Sequence, residues 1–490
     1  MGNQKQIAVF SMTPLFPDFA MGGGQVQLKK IALHLGELGH QLTILSTRRE
    51  GSMTPFHWHE NVEIRPILRF KQPYPEPYFT PIYHIANAMR YVGEAIADAD
   101  IHYSHDGGLI FPYVHQAAPT VISLRSVIYP ETIQCAFLFQ GDEWILPSEH
   151  SRASYEAAVS QFAPAVGERM HAIHNGFDWD VFRHTPPADI FSLIPAEIAD
   201  HPVMLFPHRP EEHKGIYQVI QVVDRLVRTM GWEDLRVLVP RWLDADSDPL
   251  LRAYYDRLQG TIHAAGLADV FLFHDWISEA LLPEYYSLGD VTMCIGNCVE
   301  TFGNTPFESL GCGTPPIVSR VATYRSLLPD EHIDRVDYGD IEGAAALAHA
   351  ILSEKRRASP ATLRYLKSEF SLEAMVTAFA NVILNAVKKP PIRHRLPKLS
   401  RSTQYKLAPW CYISPKRGIF HDFRSDYKRD DLLAGLALDR PAGFPGTAVP
   451  PARLDAWLDD GYIVPLVEAC SGPDTPVAIS SPCNGTARDA

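Results

Sequence analysis

The chain has 490 residues, enough for two domains or more. With 46% hydrophobic and 21% charged residues it has the makeup of an ordinary soluble globular protein. A formal net charge of −13 argues against a broad nucleic-acid-binding surface, and no apolar run is long enough for a transmembrane segment.

The opening residues Met1 to Gln6 lead into four apolar ones, Ile7 to Phe10. That run is too short for a signal-peptide core, so it reads as a first β-strand of a cytoplasmic protein. Val26 to Leu38 carries apolar residues at a helical period and Gly39 closes it. Leu42–Leu45 predicts the next strand, giving a βαβ unit and so a parallel sheet. Further strands are expected at Val62–Ile67, Asp100–Tyr103, Thr120–Ser123 and Glu143–Pro147, while 71–81, rich in proline, reads as a loop. His57, Trp58 and His59 read as a packed surface loop, with a place facing an acceptor as the alternative.

Asn175-Gly176 marks a turn, and Phe182 to Pro187 the link to a second domain. A second alternating series follows. Strands are expected at Val203–Phe206, Leu235–Val239, Val270–Phe273, Val291–Ile295 and Pro316–Ser319. Helices are expected at Ile216–Met230, Leu251–Ala265 and Leu281–Leu288, from Pro306, and at about 342–353 and 372–387. The fold class is therefore α/β, with two Rossmann-like doubly wound domains facing across a cleft, residues 1–185 and 186–387. Residues 388–403 read as a basic, proline-bearing linker, 404–467 as a small accessory module and 468–490 as a disordered tail. In the module, Tyr412 to His421 predicts a β-hairpin turning at Lys416-Arg417-Gly418, and Leu432–Leu438 and Leu454–Leu458 predict short helices. This suits a winged-helix-like unit offering a surface to a protein or peptide partner, or else a lid packed on the rest of the chain.

The seven cysteines, an odd number, suggest reduced thiols. Cys294, Cys298 and Cys312 lack a second pair or a Cys/His set, so they read as small buried hydrophobes and no metal site is expected.

Three segments carry the types of residue that glycosyl or phosphoryl chemistry needs. In Glu300-Thr-Phe-Gly-Asn-Thr-Pro-Phe-Glu308 two acids flank a glycine turn, and carboxylates there can accept from sugar hydroxyls. Phe302, Gly303 and Asn304 can turn backbone N–H groups toward an anion. In "LFPHRPEEHKG", Arg209 and Lys214 follow the end of a strand. They can neutralise a diphosphate, Arg209 through two parallel donors and Lys214 as a point charge. Gly22-Gly23-Gly24, after the first strand, lets backbone approach a phosphate or acceptor. It is not the Gly-x-Gly-x-x-Gly fingerprint of nicotinamide enzymes.

In this order and spacing the segments resemble the large retaining GT-B glycosyltransferase family, the glycosyl transferases of group 1. That family includes sucrose synthases, bacterial mannosyltransferases and many antibiotic glycosyltransferases. The stretch Glu300–Glu308 is similar to its Glu-x7-Glu motif and "LFPHRPEEHKG" to its diphosphate segment. "IHNGFDWDVF", from Ile173, resembles its interdomain link, and "FHDWISEALLPEYYSLGDV", from Phe273, a further segment of its second domain. The similarity runs from about residue 7 to 387. The resemblance implies a nucleotide-diphosphate sugar as donor substrate and no further cofactor. Glu300 would face the donor sugar, Glu308 the ribose hydroxyls, and Arg209 and Lys214 the diphosphate. Phe302, Gly303 and Asn304 would line the sugar pocket through backbone, and Trp276 and Ile277 would meet the base. Gly23 and Gly24 would border phosphate and acceptor. The acceptor itself is not specified, and no metal is expected.

The chain also departs from the family pattern. Arg125 stands where the family places a histidine, and an arginine is no general base, though it can hold a hydroxyl or phosphate. His102 and His105 end the preceding strand as alternative imidazoles or as structural groups. Pro240-Arg241-Trp242 and Ala322-Thr323 replace glycine pairs. A catalytically degenerate GT-B scaffold is the alternative that these departures leave open.

Overall fold

In the computed structural model, which describes residues 4–18, 22–70, 80–106, 118–241 and 249–466, two sheets organise the first three-quarters of the chain. Near-continuous apolar runs such as Ile7–Phe10 and Val291–Cys294 suit strands covered by helices on both faces. The first sheet comprises β1 (Gln6–Ser11), β2 (Gln41–Thr47), β3 (Phe56–His59), β4 (Val62–Leu68), β5 (Ile101–His105), β6 (Thr120–Ser123), β7 (Glu143–Leu146) and β8 (Met170–Ala172). Its order is β3-β4-β2-β1-β5-β6-β7-β8, parallel throughout except for the edge strand β3. Helices α1 (Gly23–Glu37), α2 (Ile82–Ala97), α3 (Pro130–Leu138) and α4 (Glu149–Val159) connect and cover it. The His57-Trp58-His59 cluster, expected in a loop, forms that edge strand. Trp58 is half-buried and its indole nitrogen donates to Phe16 O at 3.0 Å, so the ring seals the sheet edge. The loop expected over 71–81 lies mostly outside the described residues.

The second sheet comprises β9 (Val203–Leu205), β10 (Arg236–Pro240), β11 (Phe271–His274), β12 (Val291–Cys294), β13 (Pro316–Ser319) and β14 (Asp334–Val336). Its order, β11-β10-β9-β12-β13-β14, is all parallel and is the doubly wound 3-2-1-4-5-6 arrangement. Around it lie α5 (Ile216–Met230), α6 (Pro249–Ala264), α7 (Leu282–Leu288), α8 (Thr305–Gly311), α9 (Ile341–Glu354) and α10 (Pro360–Glu369). α5 shows why local sequence decides: Ile216, Val219, Ile220, Val223 and Leu226 share its buried face, and Gly231 ends it at φ 78°.

Helix α11 (Leu372–Leu384), expected to belong to this second block, packs on the first sheet. Met375, Val376, Phe379, Ala380 and Ile383 form one face, buried with Ile31 and Leu35 of α1 and Tyr103 of β5. Burying Phe379 and Ile383 fully is worth about 1.5–3 kcal/mol each, enough to draw the chain back.

The segment expected as a linker runs along the first domain. Lys389 Nζ meets Glu143 Oε1 at 2.6 Å, Arg169 donates to Pro390 O at 2.6 Å and Arg395 N to Phe162 O at 2.8 Å. The module beyond it contains β15 (Gln404–Leu407), β16 (Cys411–Ser414), β17 (Gly418–His421), β18 (Asp426–Lys428), α12 (Asp431–Asp439), β19 (Phe444–Pro445), α13 (Pro451–Asp459) and β20 (Ile463–Leu466). The expected hairpin and both helices are present. The strands form two three-stranded sheets, β19-β15-β20 and β16-β17-β18, and a strand separates the two helices. That arrangement has no helix–turn–helix, so the winged-helix expectation is not met. The tail expected to be disordered, 468–490, lies outside the described residues. Among the described residues no helix is long and apolar enough to cross a membrane.

Candidate functional site

In a doubly wound sheet, the loops leaving the carboxyl ends of the strands on either side of the order reversal converge. In the second sheet that reversal falls between β9 and β12. The loop after β9 carries Arg209 and Lys214, and the loop after β12 carries Cys298 and Glu300. Lys214 Nζ and Glu300 Oε1 are 2.5 Å apart although 86 positions separate them. Two glycines permit the approach. Gly215 sits at φ 93°, and a Cβ at Gly296 would run into the backbone of His213 and Lys214. Burial works against the charge on Lys214, but Glu300 beside it holds its pKa above the usual lysine value. Cys298 lies beside both partners; burial, then Glu300, push its thiol up to about 11. It was expected to be a small buried hydrophobe and is instead half-buried within this pair. Arg209 faces Glu211 on its own loop, Nε to Oε1 3.5 Å.

Glu308 follows in α8, where its Oε2 accepts from the Tyr286 hydroxyl at 2.9 Å. Burial raises its carboxyl to about 7. The Phe302 ring is core, stacked on Phe307 with centroids 4.8 Å apart, which leaves its backbone to border the turn. Gly303 takes φ 78°, and a Cβ there would meet the Tyr324 hydroxyl. Beyond β11, Trp276 is 43% exposed while Ile277 is buried. Of the Pro240-Arg241-Trp242 departure, Trp242 lies outside the described residues.

The first sheet reverses between β1 and β5, which brings Gly22–Gly24 against the end of β5. His105 Nε2 donates to Gly24 O at 2.8 Å, and its Nδ1 accepts from the Tyr103 hydroxyl at 2.7 Å. Burial pushes this imidazole down to about 3, so it is neutral. Gly23 and Gly24, expected in a loop, form the first turn of α1, and His105 holds that turn in place with both of its nitrogens engaged. His102 is likewise buried, with Nδ1 bonded to Ala8 O at 3.1 Å. Gly23 lies against Asn304, whose Nδ2 would be 3.7 Å from a Cβ there.

Arg125, after β6, donates from Nη2 to Asn175 Oδ1 at 2.7 Å, while its Nη1 is buried with no hydrogen-bond partner among the described residues. Asn175 Oδ1 also accepts from Gln27 at 3.0 Å, and its Nδ2 donates to Asn304 Oδ1 at 2.8 Å. Thr301, beside Glu300, donates to Arg125 O at 2.8 Å, and its own carbonyl accepts from Ser148 at 2.7 Å. The Glu300 turn is thus tied to the first domain. Sequence reasoning missed Cys298, Gln27, Thr301 and Tyr286, and it read Asn175 only as a turn residue. The signal for Asn175 was its amide side chain inside the interdomain link.

Two Rossmann-like domains meeting in this way define the GT-B architecture. A sucrose-phosphate synthase of Thermosynechococcus elongatus superposes with TM-score 0.60 at 18% identity, over 78% of this chain and 98% of its own. Anabaena HepE in complex with UDP-glucose gives 0.57 at 16% identity, over 78% and 100%. Residues 194–359, within the second domain, match the family described as glycosyl transferases group 1. A D-inositol 3-phosphate glycosyltransferase of Xylanimonas cellulosilytica is 26% identical over 234 residues, 46% of this chain and 54% of that protein. The chain therefore spans about half the length of that relative.

Proposed function

We propose that the chain moves a sugar from a nucleotide-diphosphate donor to an acceptor hydroxyl, with retention of anomeric configuration and without a metal. The observation that carries this reading is the Lys214–Glu300 pair at the order reversal of the second sheet, set opposite the glycine turn of the first. The likeness to a structure bound to UDP-glucose supports a donor of that class.

In this reading Glu308 accepts from the ribose hydroxyls, and Trp276 and Ile277 border the base. Lys214, with Arg209 on the same loop, stabilises the charge that grows on the diphosphate as the bond from sugar to phosphate breaks. Glu300 and the backbone of Phe302, Gly303 and Asn304 hold the sugar. The acceptor lies on the first-domain side, beside Gly23, Gly24 and Arg125. Arg125 takes no proton at neutral pH, so it orients a hydroxyl or an anionic group of the acceptor. Proton removal from the acceptor then falls to the departing diphosphate on the same face, which is how retention arises.

The test is incubation of the purified chain with a panel of nucleotide sugars under chelation, with the anomer of the product read by NMR. Transfer or slow donor hydrolysis with an unchanged anomer is the expected result. Donors that bind and never react would leave the scaffold reading, to which Arg125 points.

A further inference from the structure

The C-terminal module reaches the donor loops through one buried acid. Asp422, just after β17, has a side chain with no exposed surface. Its Oδ1 accepts from Arg325 Nη1 at 2.5 Å and from Ala322 N at 3.1 Å. Its Oδ2 accepts from Arg325 Nη2 at 3.0 Å and lies 3.7 Å from His150 Nε2 in α4 of the first domain. Arg325 is thus gripped on both prongs, and its Nη2 also donates to Pro409 O at 2.8 Å. Ala322 sits at φ 46°, a left-handed conformation that a non-glycine residue keeps only when its surroundings fix it.

The turn Ala322–Arg325 carries Tyr324, whose hydroxyl abuts Gly303. Phe420 of β17 packs with Val321 and Ala322, and Val299, the residue before Glu300, packs against the same cluster. Two routes therefore lead from the module to the Glu300 turn, one through Arg325 and Tyr324, the other through Phe420 and Val299. A buried ion pair is weak evidence for stability, because desolvation offsets its attraction. What this one supplies is a single conformation for a strained turn behind the donor loops.

We propose that Asp422 is a positioning residue for the donor site, holding the Glu300–Gly303 turn through Arg325 and Tyr324, so that the module is the outer wall of the donor pocket. The proposal deepens the donor reading above and rests on it. It makes the module part of the transferase, where an appendage for a separate partner would leave the turn indifferent to Asp422.

The experiment compares full-length wild type with Asp422→Asn and Arg325→Lys, which removes the two-pronged grip but keeps the charge. Hydrogen exchange is followed by mass spectrometry, with donor kinetics and the Kd for UDP measured alongside. In folded variants, amides of residues 296–305 should exchange about tenfold faster while those of β9 and β10 stay as in wild type. kcat/KM for the donor should fall about 10- to 100-fold, with the UDP Kd moving by less than about threefold. Asp422→Glu should recover part of that loss. Wild-type exchange at 296–305 in both variants would overturn the proposal. So would a parallel loss of UDP binding and turnover, the mark of a general loss of structure. Should Asp422→Asn fail to fold, Arg325→Lys decides by the same readings. If wild type itself neither binds nor turns over any donor, the donor reading fails. The exchange measurement then still decides whether Asp422 holds the turn.

Discussion

Lys214 Nζ lies 2.5 Å from Glu300 Oε1, with the two side chains 17% and 25% exposed. The pair joins loops from β9 and β12 and faces the first domain through Thr301 and Asn304. In this arrangement the lysine charge is balanced by Glu300 before any ligand arrives. In the proposed function, a diphosphate that took over Lys214 would leave the carboxylate free to turn to sugar hydroxyls.

Removing the cation should therefore cost the chemical step. Lys214→Ala is expected to lower kcat by about 10²–10³, the range seen when one stabilising donor is lost. Circular dichroism should be unchanged, and Lys214→Arg should recover part of the rate. Steady-state turnover close to wild type in Lys214→Ala would remove Lys214 from the site.

If Glu308 holds the ribose as proposed, donor binding should depend on pH. Burial raises its carboxyl from 4.5 to about 7. Between those values the folded chain holds a proton that the unfolded chain has lost. The resulting contribution to stability is present below about pH 4.5 and is lost as pH rises through 7. A ribose that needs the ionised acid must displace that proton. Affinity for a nucleotide sugar, which has no ionisation of its own in this range, should rise as pH increases through about 7 and then level off. Calorimetry in buffers of different ionisation enthalpy should show proton release near pH 6.5, and Glu308→Gln should abolish it. Pure pH independence in wild type would mean that the ribose does not use this carboxylate.

Gly296 tests the close approach that brings the pair together. A Cβ there would strike the His213 carbonyl and the Lys214 backbone. Gly296→Ala should push the two loops apart, destabilise the fold by about 1–3 kcal/mol and lower donor affinity. Thermal melting and UDP titration check both effects. An alanine variant with unchanged melting temperature and affinity would show that the loops have slack.

Chelation separates the cation-based reading from a metal-based one. Transfer in EDTA is expected to stay within about twofold of the untreated rate, because Lys214 and Arg209 supply the positive charge at the diphosphate. A larger loss restored by Mg²⁺ would move that role to a metal ion.

The doubly wound core was legible because its elements repeat one signal. Apolar runs end in loops with Gly, Lys or Glu, and amphipathic helices such as α5 end at glycine. The meeting of Lys214 and Glu300 could be anticipated only through the fold, since nothing local links positions so far apart. α2 was missed beside the proline-rich stretch, where the exposed Ile82 and Tyr83 blur its periodicity. α4 was missed because its first turn, Glu149-His150-Ser151-Arg152, is polar. Its start was marked only by the Ser148 cap, which accepts from Ser151 N. The strand β3, Phe56-His57-Trp58-His59, alternates but is only four residues long, too short a signal to set it apart from a loop. His105 looked chemical because strand ends carry function, but burial commits both of its nitrogens. Asp422 gave no sign in sequence, for its partner lies 97 positions away in another domain.

The return of α11 bears on how the protein is made. The first sheet is complete by Ala172, but the helix that covers Leu35 and Tyr103 includes Phe379 and Ile383. A ribosome must therefore translate the whole second domain while part of the first core stays open. Newly synthesised chains should pass through a stage in which that apolar face is available to a chaperone, and fragments ending near residue 190 should aggregate. The two halves are successive in the message and interlocked in the product.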